Sequence, residues 1–331
     1  MAESTTIKVS TAQKKLKVFS GSCNPKLAQG IADAIGIELG HVKLETFANG
    51  EIYARYLETV RGCDVFIIQS VAGHVNDALM ELLIMTDAAK RASAHSVTAV
   101  VSHYGYSRQD RKAASREPIT AKLVANMMTT AGIDRLITID LHQGQIQGFL
   151  DKPVNHLTAL PLFAEYFSAK NLPLDNLCVV SPDVGRAKAA KQLAEMLGGC
   201  DLAIMHKSRS AHNVSEVSAV IGDVKGKCCI VNDDMIDTAG TITNGTRALK
   251  EAGAEKIYLC TTHGILSDPA IDRLKDCPAD EIVICDTIPM PEERFSEKFH
   301  VISVAPLLAK AIVSVFNEES VSGMIDLDFA L

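Results

Sequence analysis

The sequence predicts an α/β fold made of two units, each a mainly parallel sheet flanked by helices. Short β-branched runs alternate almost throughout with stretches whose apolar residues recur at three and four, the signature of strand–helix–strand crossovers. The pattern restarts midway, near "FLDKPVNHLTALP" at residues 149–161, without a strict sequence repeat. A length of 331 residues suits two domains or one large α/β unit.

In chain order, "LKVFSG" reads as a strand and "NPKLAQGIADAIG" as a helix. "DVFIIQS" is a strand, followed by the helix "VNDALMELLIMTDAAKRASA". "SVTAVVSHYG" is a strand, then comes a basic loop, the helix "ITAKLVANMMTTAG" and the strand "RLITIDLH". The second series runs "LPLFAEYFSAK" (helix), "NLCVVSPD" (strand), "RAKAAKQLAEMLG" (helix), "CDLAIMHK" and "KCCIVND" (strands), "TITNGTRALKEAG" (helix) and "KIYLCTTHG" (strand). A closing helix, "VAPLLAKAIVSVFNEES", is expected to pack back on the first half. The expected division is a flexible arm over 1–15, an N-terminal unit over 16–157 closed by the C-terminal helix 308–331, and a C-terminal unit over 158–307.

Composition narrows the function. Apolar residues are 47% and charged residues 22% of the chain, ample for two cores. A net charge of −7 argues against a protein that coats nucleic acid, so no nucleic-acid partner is expected. The nine cysteines include no C-x-x-C pair, so neither a zinc site nor a disulfide framework is readable. Several lie in apolar runs, where a reduced thiol acts as a small hydrophobe, and this fits a cytoplasmic location. The polar first fifteen residues lack the apolar core of a signal, and no run is long enough to span a bilayer, so no membrane partner is expected.

The stretch "VNDDMIDTAGTITNG" (231–245) ends an apolar strand with Asp233 and Asp234, adds Asp237, then continues Thr238-Ala239-Gly240-Thr241 into a helix. Ligands of open α/β sheets bind outside the carboxyl ends of the strands. Neighbouring carboxylates suit the neighbouring hydroxyls of a sugar, because each ionised oxygen accepts a hydrogen bond. Backbone N–H groups, hydroxyls and a helix N-terminus suit a phosphate, and Gly240 permits close approach. One loop therefore offers a ribose diol and its 5-phosphate separate sites. An acid-rich helix cap would explain one or two of the carboxylates but not the whole run.

This loop resembles the ribose-5-phosphate-binding motif shared by phosphoribosyltransferases and phosphoribosyl pyrophosphate synthetases, and alone does not separate them. Six further segments do: "NGEIYARYLETVRGCDVFIIQS" (49–70), "NDALMELLIMTDAAKRASA" (76–94), "YGYSRQDRKAASREPITAKLVAN" (104–126), "DLHQGQIQGF" (140–149), "SPDVG" (181–185) and "ESVS" (319–322). In their order they resemble the ribose-phosphate pyrophosphokinase family from Leu16 to Ser322. The resemblance implies two phosphoribosyltransferase-like domains. It also implies transfer of the β,γ-diphosphoryl group of ATP to ribose 5-phosphate, a step of nucleotide biosynthesis.

Residue by residue, the resemblance implies ATP contacts at Arg108, Gln109 and Asp110, in a loop that alone would read as solvated basic surface. It implies adenine contacts from a neighbouring subunit at Phe47, Asn49 and Glu51, otherwise an ordinary turn. His142, which alone would read as a strand-end histidine, matches a position for Mg²⁺ and the ATP phosphates, and Asp183 a second metal-associated carboxylate. Lys207 and Arg209 match a mobile catalytic loop, their charges stabilising the transition state. Asp233, Asp234, Asp237, Thr238, Ala239, Gly240 and Thr241 would hold ribose 5-phosphate. A homo-oligomer, commonly a hexamer, is implied, with phosphate and ADP acting at Thr59, Arg61, Ser93, Arg116, Ser320 and Ser322.

The sequence departs from the family's common pattern in three places: Asn232 in place of an aliphatic residue, Arg186 in place of a glycine, and Ser102-His103 before "YGYSRQD". A phosphoribosyltransferase would need only one such α/β domain. A non-catalytic synthetase-associated protein would interrupt the catalytic segments, and here Lys207, Arg209, His142, Asp183 and the acidic loop stand without insertion.

Overall fold

The structure, a computed structural model, describes residues 14–211 and 214–322, with side chains described except at 207–211 and 214–219. The first half opens with β1 (Leu16–Ser20), α1 (Pro25–Ile35) and a hairpin, β2 (Val42–Thr46) and β3 (Ile52–Tyr56). It continues through β4 (Asp64–Gln69), α2 (Val75–Arg91), β5 (Ser96–Val101), α3 (Thr120–Ala131), β6 (Arg135–Ile139) and β7 (Val154–Leu157). Strands β1-β4-β5-β6-β7 form one sheet in that order, every pair parallel.

The chain then forms α4 (Leu160–Ser168), β8 (Leu177–Ser181), α5 (Ala187–Met196), β9 (Asp201–Ala211) and β10 (Val214–Ile221). β11 (Cys228–Ile236), α6 (Gly240–Glu251), β12 (Lys256–Gly264), α7 (Ala270–Asp276), β13 (Glu281–Cys285), β14 (Phe299–Ile302) and α8 (Ala305–Phe316) complete it. The second sheet has the order β10-β9-β8-β11-β12-β13-β14, parallel except for the antiparallel pair β9–β10. From β8 the chain moves outward to β9 and β10, then returns to β11 on the other side. That reversal opens a crevice at the carboxyl ends of β8 and β11.

Strand β4 shows why the sheets are double-sided. Val65 and Ile67 enter one apolar cluster while Phe66 and Ile68 enter another, the period of two with both faces covered. Burying each of these four side chains contributes roughly 1.5–3 kcal/mol. β8 and β11 divide in the same way: Val179 and Ile230 face one cluster, Val180 and Val231 another. The cluster holding Phe66 and Ile68 is the one holding Val179 and Ile230, so the two sheets share a core through α1, α4, α5 and α8.

Helix α1 starts where Asn24 accepts a hydrogen bond from the Leu27 N–H at 3.2 Å and Pro25 takes the first turn. It ends at Gly36, whose φ of +80° closes the last turn. Its buried face, Leu27, Ala28, Ile31 and Ala32, packs with Leu308 and Ile312 of α8. Gly30 permits this approach, because a Cβ there would lie 3.2 Å from that of Ala305. The closing helix is shorter than expected, Ala305–Phe316 rather than 308–331, and residues 323–331, like the arm 1–13, lie outside the described residues. Among the described residues no helix is long and apolar enough to cross a membrane.

Candidate active site

Asp233 and Asp234 do not end their strand. β11 continues to Ile236, and its ladder with β12 runs on through Asp233–Thr261 to Ile236–Gly264. On the other side the ladder with β8 stops at Val231–Val180. The aspartates therefore occupy the part of β11 that projects past β8, at the reversal of strand order. Asn232, just before them, is buried against Cys260, with Nδ2 3.4 Å from Sγ and Oδ1 without a partner.

After β11, Ala239 takes a left-handed backbone with φ +60°, uncommon for a residue with a side chain, and α6 starts at Gly240. Arg273 donates from Nη1 to the Thr238 carbonyl at 2.9 Å, and the Thr243 hydroxyl donates to the Ala239 carbonyl. The turn is thus held from behind, leaving Thr238 and Thr241 exposed. Residues 237–241 line a cavity of about 490 Å³ together with Asp233, Asp234, His142, Asp183, Arg108, Arg111 and Arg186.

The two aspartates are not equivalent. Asp234, only 2% exposed, has Oδ2 2.8 Å from His142 Nδ1 and Oδ1 3.9 Å from Arg186 Nε. Burial alone would raise its pKa; the His142 hydrogen bond and the Arg186 charge outweigh that and hold it below the usual carboxylate range. Asp233 moves the other way, raised well above its ordinary value by burial and by the adjacent Asp234 charge. Asp183 follows β8, and its carboxylate accepts from the Arg186 N–H at 3.2 Å.

From the first half, Arg108 donates from Nη1 to Asp237 Oδ2 at 2.9 Å. The cavity therefore has an acidic floor, a turn of backbone N–H groups and hydroxyls at one end, and three arginines on its walls. Among the described residues no three His, Cys, Asp or Glu side chains cluster as a ready-made metal site.

The family model for the N-terminal domain of ribose phosphate pyrophosphokinase matches residues 16–132, and that for the phosphoribosyl synthetase-associated domain matches 207–326. The chain is 52% identical over 312 residues to the ribose-phosphate pyrophosphokinase of Clostridium perfringens, covering 94% of this chain and 98% of that one. The chain belongs to the ribose-phosphate pyrophosphokinase family. The Bacillus subtilis member is 49% identical over 309 residues, 93% of this chain and 96% of that one. The crystal structure of phosphoribosylpyrophosphate synthetase from Mycobacterium smegmatis superposes with a TM-score of 0.87 at 46% identity, over 92% of this chain and 100% of that one.

The family's other expected site residues scatter. Gln109 accepts from the Thr120 hydroxyl at 2.6 Å and, with Asp110, lies outside the lining of the 490 Å³ cavity. Phe47, Asn49 and Glu51 sit at the tip of the β2–β3 hairpin, Phe47 49% exposed, and none lines that cavity. Thr59 and Arg61 line a separate cavity of about 380 Å³. Ser93 is adjacent through its carbonyl, which accepts from the Gly62 N–H at 2.9 Å, whereas Arg116 and the paired hydroxyls of Ser320 and Ser322 lie outside that lining.

The segment "MHKSRSAHNVSEV", expected to carry the mobile catalytic loop, falls on the antiparallel pair β9 and β10. The backbones of Lys207 and Arg209 pair with Val217 and Ser215, and residues 212–213 lie outside the described residues. Seven residues of the cavity lining were absent from the expected site set, and three of them have polar side chains: Arg111, Gln143 and Arg186. Arg186 had a signal, its departure from the family glycine directly after "SPDVG". Gln143 had only its place beside His142.

Proposed function

We propose that the chain is a ribose-phosphate diphosphokinase, transferring the β,γ-diphosphoryl group of ATP to the anomeric hydroxyl of ribose 5-phosphate to give 5-phosphoribosyl 1-diphosphate and AMP. One observation carries this reading: a single cavity joins carboxylates, a helix N-terminal turn with two free hydroxyls, and three arginines from both halves. The turn 238–241 takes the 5-phosphate, and Asp233 and Asp237 take sugar hydroxyls. Asp234 is already engaged by His142 and acts more as an orienting group than as a diol acceptor.

The anomeric oxygen attacks the β-phosphorus while its bond to the bridging oxygen breaks, and AMP leaves with that oxygen. Such a transfer depends on in-line placement and on neutralising charge. Arg108, with Gln109 and Asp110 beside it, holds the polyphosphate, and Lys207 and Arg209 on β9 add positive charge in the transition state. Mg²⁺ fits as a lightly held ion: His142 and Asp183 line the cavity, too few donors for a protein cage, which suits a cation that keeps water and substrate phosphates. When bound it would neutralise polyphosphate charge. His142 would meet it through Nε2, since Nδ1 is committed to Asp234.

The same reading extends to assembly and place. The exposed hairpin carrying Phe47, Asn49 and Glu51 serves a neighbouring subunit's adenine in a homo-oligomer, on the family pattern a hexamer. Phosphate and ADP act around Thr59, Arg61, Ser93, Arg116, Ser320 and Ser322. The working units are 16–157, closed by the C-terminal segment from residue 308, and 158–307, and the protein acts in the cytoplasm. Incubated with ATP, Mg²⁺, ribose 5-phosphate and phosphate, the protein is expected to release AMP, and Lys207→Ala to lose most of that turnover. Full turnover in Lys207→Ala would remove that residue from the mechanism.

A further inference from the structure

Between the two halves lies a buried polar seam. Asn24 Nδ2 donates to the Asp286 carbonyl at 2.9 Å, and the hydroxyls of Ser70 and Ser102 each reach the Thr287 carbonyl at 2.7 Å. The seam tightens around one residue that no role above uses. His263, on β12 and 2% exposed, has Nε2 3.2 Å from the Ile139 carbonyl oxygen and 3.1 Å from that of Asp140. Both partners are acceptors, so Nε2 carries the proton and donates across the seam. Nδ1 lies 2.9 Å from the Thr287 hydroxyl, which fixes the ring on its other edge.

Asp140 itself is under backbone strain, with φ +38° at a residue that is not glycine. Three further contacts over-determine that conformation. Its carbonyl receives His263; its Oδ2 accepts from the Thr262 hydroxyl at 2.6 Å and from the Ala159 N–H at 3.0 Å. Thr262 and His263 belong to the second half, whereas Asp140 belongs to the first. Two residues beyond Asp140 stands His142, bonded at 2.8 Å to Asp234 on β11. β11 and β12 are paired, with Met235 opposite His263. The contacts therefore close a ring: Asp234 to β12 through the sheet, His263 to Asp140 across the seam, and Asp140 through Leu141 and His142 back to Asp234.

From this ring we infer that His263 is a positioning residue for His142, acting through the Asp140 carbonyl and supported by the Thr262 hydroxyl. The strained turn at Asp140 aims the His142 ring at Asp234, and His263 keeps that turn from relaxing. The distance between a first-half histidine and a second-half carboxylate is thereby set by β12 rather than by the exposed loop after β6. The inference rests on the proposed role of His142 at the polyphosphate.

A double-mutant cycle tests it in the full-length protein. His263→Ala and, separately, the near-isosteric Thr262→Val are each expected to lower kcat about tenfold or more while moving the KM for ribose 5-phosphate less than about twofold. His263→Gln, whose amide still donates, is expected to recover much of the loss. In a His142→Ala background neither substitution should lower kcat further. Multiplicative losses in that background would overturn the inference while leaving His142 in its role. A His142→Ala enzyme with unchanged kcat would instead remove His142 from the reaction, and the inference with it. If His263→Ala lowers the melting temperature too far to assay, the Thr262→Val arm alone decides, by the same non-additivity.

Discussion

Arg108 of the first half donates from Nη1 to Asp237 Oδ2 of the second at 2.9 Å, so the basic loop after β5 and the acidic loop after β11 are joined across the cleft. Arg108 is more than half exposed and Asp237 one third exposed, which makes the pair a weak contributor to stability, of order 0–1 kcal/mol. Its importance lies in where it holds the guanidinium. Arg108→Ala is expected to raise the KM for ATP by about tenfold or more through loss of a charge-assisted contact, with a melting temperature almost unchanged. Initial-rate kinetics and a thermal melt on the same preparation check both halves of that statement.

Ala239 occupies the left-handed region at the start of α6 and is buried. Ala239→Gly removes the steric cost and should keep activity. Ala239→Val places a β-branched side chain at φ +60° and should cost roughly 1–3 kcal/mol. It should also raise the KM for ribose 5-phosphate, because the turn would shift. Denaturant unfolding beside substrate titration separates the two effects.

Asn232 leaves Oδ1 buried and without a hydrogen-bond partner. Asn232→Val fills similar space without an unsatisfied acceptor and is expected to stabilise the protein by about 1–2 kcal/mol, with kcat and both KM values unchanged. A lower stability in the variant would mean that the amide has a partner in solution.

Two buried histidines meet at the seam, His103 and His263, with ring centroids 4.6 Å apart. Burial, and for His103 the neighbouring His263, pushes both below the ordinary 6.5; for His263, Asp140 and Asp234 partly offset the burial. Because the folded-state values are depressed, the unfolded chain binds more protons below about 6.5. The stability contribution is therefore fully present above that pH and lost as pH falls from there toward the folded values. Urea unfolding between about pH 5 and 8 should show this slope, and His103→Phe should flatten it.

The strand–helix alternation was legible because strands such as β4 and β8 are apolar on both faces and the helices keep their period. The acidic loop was legible because its residues are contiguous, from Asp233 to Thr241. What escaped the sequence is pairing over distance. His142 and Asp234 are 92 residues apart, and nothing local shows that the histidine engages Asp234 rather than Asp233. The shared core has the same origin: a strand's apolar period shows that a face is buried, not which helices cover it. The run from Lys207 to Val217 was expected as a loop, and its polar residues carry no alternation strong enough to mark the second strand of an antiparallel pair.

In the proposed reaction the β,γ-diphosphoryl group moves intact to the sugar of ribose 5-phosphate. Phosphorus NMR of a reaction containing ATP, Mg²⁺, ribose 5-phosphate and phosphate reads this directly. The expected spectrum gains a diphosphate attached to the sugar's anomeric carbon and an equal amount of AMP as ATP disappears. Accumulation of ADP with a singly phosphorylated anomeric position, or ATP left unconsumed, would contradict it.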